Sequence, residues 1–172
     1  MRYTQLVLSL LFTFAIALPG PVQLDAVAPD HFSGTVSKVA AVDCNNAKLL
    51  AEGIDKNIAA QKQEQADVAA VKDVVNKDNV NAAQFDEAKK KFLNTIQSGI
   101  DIRKNNQQIA GANNAASAGL AKVANAQAKE LSQAQSLKGS KADLDTIGQL
   151  ETAFAGGIKQ NEQNKEDALK GC

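Results

Sequence analysis

Few side chains in this chain have the types and spacing that chemistry requires. It holds one histidine, His31, two cysteines, Cys44 and Cys172, and two arginines, Arg2 and Arg103, with no tryptophan. Nucleophilic and acid–base catalysis lean on a histidine held within hydrogen-bond reach of a partner. His31 falls among Pro19, Pro21 and Pro29, in a stretch with no helical or strand pattern to hold it, so no Ser-His-Asp or Cys-His site is expected. Zinc asks for clustered Cys or His ligands. The two cysteines are far apart in sequence and no second histidine exists, so neither a metal nor a cofactor is expected. Gly156-Gly157 lacks the glycine and lysine spacing of a phosphate-cradling loop.

The carboxylates Asp143, Asp145 and Glu151 are close enough in sequence to consider a glycosidase pair. Asp143 and Asp145 do not share a helix face, and acidic residues at a helix start are explained by the positive end of the helix dipole. An enzyme is therefore not expected. Lys89-Lys90-Lys91 is the one basic run. On an amphipathic helix it fans over a solvated face with Asp86 and Glu87 as local partners, so nucleic acid is not an expected ligand. Arg103 precedes the amide-rich Asn105-Asn106-Gln107-Gln108. It reads as a partly buried fork bonded to amides or to Glu130, with recognition of a carboxylate or phosphate as the alternative. Gly156 and Gly157, inside a helical pattern, read as a close-packing or kinking point, with a ligand groove as the sharper alternative.

The elements that must position these residues are helices. From Asp43, an N-cap, Leu50, Ile54, Ile58, Val68, Val71 and Val75 recur at helical spacing, interrupted by Gln61 and Gln65. Lys77-Asp78-Asn79 marks a break. Asn81 with Gln84 opens a second helix carrying Phe85, Ala88, Phe92, Ile96 and Ile100, reaching Ile109. After a small, polar connector, Ala110 to Asn114, a third helix carries Leu120, Val123, Ala124, Ala128 and Leu131 and ends near Lys138, with Gly139 as its stop. Ser140 and Asp143 cap a fourth, with Leu144, Ile147, Glu151, Phe154, Ile158 and Leu169 on its stripe and Gly171 at its end. Short connectors make successive helices antiparallel. The expected fold is thus all-α, an up-down four-helix bundle.

Arg2, the apolar run Leu6 to Leu18 and Ala15-Ile16-Ala17 have the layout of a secretory signal peptide cleaved after Ala17. At about 13 apolar residues the run is shorter than the ~20 a membrane span needs. Residues 18–35 read as a flexible, proline-containing leader and 36–172 as the helical domain. In a secreted chain two cysteines pair, and an even number of helices brings Cys44 and Cys172 to the same end of the bundle. The bond matters because the core is lean. Between the cysteines stand nine Leu, eight Ile, six Val and three Phe, 26 of 129 residues, about the 20% level below which chains tend to stay unfolded.

Asp43-Cys44-Asn45-Asn46-Ala47, Gly99-Ile100-Asp101-Ile102-Arg103, Gly119-Leu120 through Glu130-Leu131, Gly156-Gly157-Ile158 and Gly171-Cys172, in that order, resemble a family of small secreted proteins of filamentous fungi. More loosely, the Ala-rich helices are similar in style to fungal hydrophobic-surface-binding and cell-wall mannoproteins. The resemblance implies an extracellular helical protein, a surface component or candidate effector, with no assigned reaction. The expectation is a non-enzymatic binder of a protein, cell-wall or host surface component. Its rival is an amphipathic binder of lipid or hydrophobic surfaces that opens to expose Leu50, Phe85, Phe92, Phe154 and Ile158. Intact-mass measurement of the secreted protein should find Leu18 at the N-terminus of the first processed species; a mass retaining residues 1–17 would remove the secretory reading.

Overall fold

In the computed structural model, residues 43–172 are described; Ala15, Ala17, the leader at 18–35 and the first residues of the expected helical domain, 36–42, lie outside them. Four α-helices follow in order: α1 (Cys44–Val75), α2 (Ala82–Ala110), α3 (Ser117–Ser136) and α4 (Leu144–Ala168), with one 3-10 turn, Lys141–Asp143, leading into α4. No strand occurs among the described residues. The boundaries follow local chemistry. The Asp43 carboxylate accepts from the Asn45 and Asn46 amides (3.1 and 3.2 Å), and Asn81 Oδ1 accepts from the Gln84 amide (3.1 Å), which satisfies donors that a helix start leaves open. Ahead of α4, one oxygen of Asp143 collects the amides of Lys138, Gly139 and Ser140 at 2.7–3.1 Å. Gly139 sits at φ 78° against the Phe85 ring, a conformation and a clearance that only glycine meets without strain.

Each helix packs on its chain neighbours, and α4 closes back on α1, so α1 and α3 stand on one diagonal and α2 and α4 on the other. Contacts run in opposite senses along adjacent helices. On α1 and α4, Asp55 meets Lys165 (2.7 Å), Asn57 meets Asn161 (2.8 Å) and Lys72 meets Glu151 (2.9 Å). On α1 and α2, Asn57 reaches the Gly99 carbonyl (2.8 Å) while Asp67 meets Thr95 and Lys91 (2.6 and 3.0 Å). The start of α1 and the end of α4 therefore coincide, and Cys44 and Cys172 are joined with their Cα atoms 5.4 Å apart.

Two apolar clusters fill the ends of the bundle. Leu50, Ile54, Ile58, Ala116, Leu120 and Ala168 pack at the disulfide end. At the other end lie Val68, Val71, Val75, Phe85, Phe92, Ile96, Ile147, Leu150 and Phe154, with the Phe92 and Phe154 rings edge to face at 5.8 Å across a diagonal. The expected stripes of α1 and α2 are seen, apart from half-buried Ala88. Those of α3 and α4 need correction: the buried line of α3 is Leu120, Val123, Gln127, Glu130 and Ala134, and Leu144, Glu151 and Ile158 of α4, with Leu169 just past its end, are only half-buried. Among the described residues no helix is long and apolar enough to cross a membrane.

Cross-linking a loop of this length restricts the unfolded chain by about 5 kcal/mol in the chain-entropy model. The double variant Cys44→Ser, Cys172→Ser should lose a large part of that stability in urea titrations followed by circular dichroism, with a midpoint equal to that of the reduced wild type. An unchanged midpoint would show that the bundle holds without its clasp.

Candidate functional site

Between the two apolar clusters the interior is polar. Asn57, Gln61, Glu64 and Asp67 of α1, Asn106 of α2, Gln127 and Glu130 of α3, and Asn161 and Asn164 of α4 are each 0–2% exposed, with Arg103 of α2 at 9%. Part of this belt is a connected amide network. Asn161 Nδ2 donates to Asn57 Oδ1 and Gln61 Oε1, both at 2.8 Å, and Asn164 Nδ2 donates to Asn161 Oδ1 at 3.2 Å. The expected role of the glycines needs refining here: rather than bringing backbones together, they receive polar side chains. A Cβ at Gly99 would lie 2.7 Å from Glu64 Oε1, and one at Gly53, Gly119 or Gly157 would overlap the side chain of Asn106, Asn164 or Gln61 respectively. Each helix thus offers one notch to a polar side chain from a neighbour.

Asp67 and the Arg103–Gln127 pair also have partners, but other buried polar atoms have none, Gln61 Nε2 and Gln127 Nε2 among them. Both carboxylate oxygens of Glu64 and of Glu130, and both polar atoms of the Asn106 carboxamide, make no hydrogen bond among the described residues. An unmatched buried carboxylate is costly, and the group responds by holding its proton. Burial first, then the charges of Glu130 and Asp67, pushes the Glu64 carboxyl up to about 8. Burial pushes Glu130 up to about 7. Asp67 goes the other way: burial works to raise it, but hydrogen bonds from Thr95 and Gln63 and the Lys91 ammonium together hold it below its ordinary value.

The residues singled out from sequence fall in several places. Arg103 Nε donates to Gln127 Oε1 (3.1 Å) and its Nη1 to Gln107 Oε1 (2.7 Å), so the fork binds amides and forms no ion pair with Glu130. Burial keeps its pKa below the ordinary guanidinium range, with Asp101 opposing. Lys89 binds the carbonyls of Gln135 and Leu137 at the end of α3 (2.8 and 2.6 Å), and Lys91 pairs with Asp67; Asp86 and Glu87 are not the partners of either. Gly156 faces open space, while Gly157 is the Gln61 notch. Beside them lies a shallow hollow of about 250 Å³ bordered by Lys122 and Val123.

Two larger grooves open over the belt. One, about 730 Å³, lies between α1 and α2 and is lined by Leu49, Gly53, Ile102, Asn106 and Ile109, among others. The second, about 640 Å³, lies between α3 and α4, with Glu130 among its lining. Glu64 borders neither. No cluster of three or more metal-ligating side chains occurs among the described residues. The chain matches no protein-family model, no curated protein and no solved structure.

The sequence reading missed Glu64 and Glu130 as site residues, although helical spacing from Gln61 and from Gln127 places both on buried lines. Their shifts give stability a definite pH dependence. From about pH 4.5, where the unfolded chain ionises, up to about 7 for Glu130 and 8 for Glu64, the folded state holds more protons than the unfolded state, so stability falls as pH rises, by roughly 1 kcal/mol per unit and group. Asp67 contributes in the opposite sense and is lost below its ordinary range. Urea midpoints should therefore peak near pH 5 and decline to pH 8. Glu64→Gln and Glu130→Gln should each flatten the decline and stabilise at pH 8, on the order of 2–4 kcal/mol. A profile that rises between pH 5 and 8 would contradict the burial of unpaired carboxyls.

Proposed function

We propose that the protein is a secreted, non-catalytic binding protein whose α1–α2 groove takes an extended peptide segment of a partner protein at a cell or host surface. The observation that carries this reading is the pairing of Leu49 with Asn106. Leu49, 54% exposed, is the one large apolar side chain standing in solvent among the described residues. Beside it the fully buried Asn106 carboxamide keeps a donor and an acceptor open. A peptide backbone presents the matching pair, an N–H and a C=O, and an apolar side chain on the peptide would lie against Leu49, Ile102 and Ile109. From Asn94 to Ile109 the α2 wall is about 20 Å long, enough for about six extended residues.

Secretion is supported by the signal-peptide pattern together with the Cys44–Cys172 bond, since disulfides persist in oxidising compartments. The likeness to fungal small secreted proteins makes the producer's wall or a host surface the natural setting. Catalysis draws no support from the belt, where Glu64 and Glu130 are at most 1% exposed and only one of them borders a groove. The lipid-spreading alternative is weakened by the same belt, because opening the bundle would present Asn57, Gln61, Glu64, Asn161 and Asn164 to lipid along with the apolar ends, against the cost of placing polar groups in hydrocarbon.

Selection from displayed random hexapeptides should recover apolar-anchored binders, with affinities read by fluorescence anisotropy. Leu49→Glu and Asn106→Leu should each weaken them about tenfold or more while leaving helicity intact. Binders indifferent to both substitutions would overturn the assignment of the groove. Tight adsorption to phosphatidylcholine vesicles with no peptide recovered would move the reading to the lipid alternative.

A further inference from the structure

The α3–α4 groove carries a separate inference, independent of the peptide reading. Glu130 is 1% exposed, and neither of its oxygens has a donor among the described residues, yet it borders a groove of about 640 Å³. Small residues leave the approach open: Ala126 on α3, and Gly148 and Ala153 on α4. One turn along α3, Gln133 donates its amide to Gln149 Oε1 at 2.7 Å, which leaves the Gln133 carboxamide oxygen as an acceptor on the same helix face as Glu130. Asp145 adds a second anionic group to the lining.

None of the charged groups around Glu130 is bonded to it. Across the diagonal on α1 stands Glu64, another carboxyl without a donor. On α2 the Arg103 fork is committed to Gln127 and Gln107. On α3 itself, Lys129 also lines the groove, but it is exposed and makes no ion pair among the described residues, neither with Glu130 nor with Asp145. A cation from outside would complete the site. A primary ammonium fits its acceptors, because its three N–H donors match the two Glu130 oxygens and the Gln133 oxygen, and its alkyl chain matches the Ala126, Gly148 and Ala153 walls.

We infer that the α3–α4 groove binds a small alkylammonium compound, its –NH3⁺ seated on Glu130 and Gln133 and, in a diamine, its second ammonium toward Asp145. Binding removes the proton that Glu130 otherwise retains, so one proton leaves the protein for each ligand bound at acid pH. With Glu130 pushed up to about 7, affinity should be about 30-fold weaker near pH 5.5 than near pH 8.

The probe is 1,4-diaminobutane, titrated calorimetrically into the oxidised protein at both pH values in buffers of different ionisation enthalpy, so that proton release is read directly. Tetramethylammonium, a cation without donors, and sodium chloride at equal ionic strength serve as controls. Support requires saturable diaminobutane binding that strengthens with pH and releases a proton, at least tenfold weaker in Glu130→Gln. Gly148→Leu should block the groove to the same degree; nothing lies within 4 Å of a Cβ at that position and the change favours the helix, so the variant tests access while the fold is retained. Binding matched by tetramethylammonium or salt, binding unchanged in Glu130→Gln, or no binding near pH 8 would each overturn the inference.

Discussion

The polar side chains that cross the middle of this bundle are what the rest of the structure has to accommodate. A chain with so few large apolar residues cannot fill four helices from end to end with hydrocarbon. The interior is therefore divided, with Leu50, Ile54 and Leu120 closing one end, Val71, Phe92 and Phe154 the other, and carboxamides and carboxyls between them. Burying such groups is unfavourable unless they are matched. The Asn57–Gln61–Asn161–Asn164 network meets that condition for most of the α1–α4 seam, with Gln61 Nε2 left over. It also fixes register, because sliding either helix by a turn would break several of these bonds together and move Gln61 out of its notch at Gly157.

The matching is uneven around the bundle, and that unevenness separates its sides. α1 and α4 are tied by amides, by the Lys72–Glu151 and Lys165–Asp55 pairs and by the disulfide. α3, the shortest helix, has no side-chain N-cap and meets α2 through Arg103–Gln127 and the two Lys89–carbonyl bonds. The side chains with no partner for any polar atom, Glu64, Glu130 and Asn106, lie on the other seams. Both large grooves occur where an unsatisfied side chain lies close to the surface, which is where a ligand's polar atoms gain most.

Much of the fold was legible in sequence because its signals are local. Asp43, Asn81 and Ser140 with Asp143 act as caps at their expected places, Gly139 takes a positive φ after α3, and the pairing of Cys44 with Cys172 follows from an even helix count. The belt was not legible, for a specific reason. Tracing stripes by apolar identity assigns α3 to Ala124, Ala128 and Leu131, whereas the period running on from Leu120 and Val123 leads to Gln127, Glu130 and Ala134. In α4 the expected stripe through Leu144, Glu151 and Ile158 keeps a helical period, but the buried line is turned to one side of it, through Leu150, Gly157 and Asn161. Two traces of the belt were visible: Gln61, as an interruption of the α1 stripe, and Arg103, as a partly buried fork bonded to amides. Partners reached across the bundle, such as Asp67 for Lys91 in place of Asp86 or Glu87, depend on helix rotation, which no local motif encodes.

Stability and recognition fall to different parts of this interior. The apolar ends and the disulfide favour folding wherever the belt's protons sit, since none of those groups titrates in the range of Glu64 and Glu130. The middle costs stability as its carboxyls ionise, and regains it when something satisfies them, a proton in acid or a cation in neutral solution. If the carboxyls were relics of poor packing, replacing them with hydrocarbon would be a short evolutionary step that stabilises the fold at neutral pH. Glu130 lies beneath a groove walled by small residues and makes no ion pair with Lys129 at its edge, which is the arrangement that the proposed ammonium site requires.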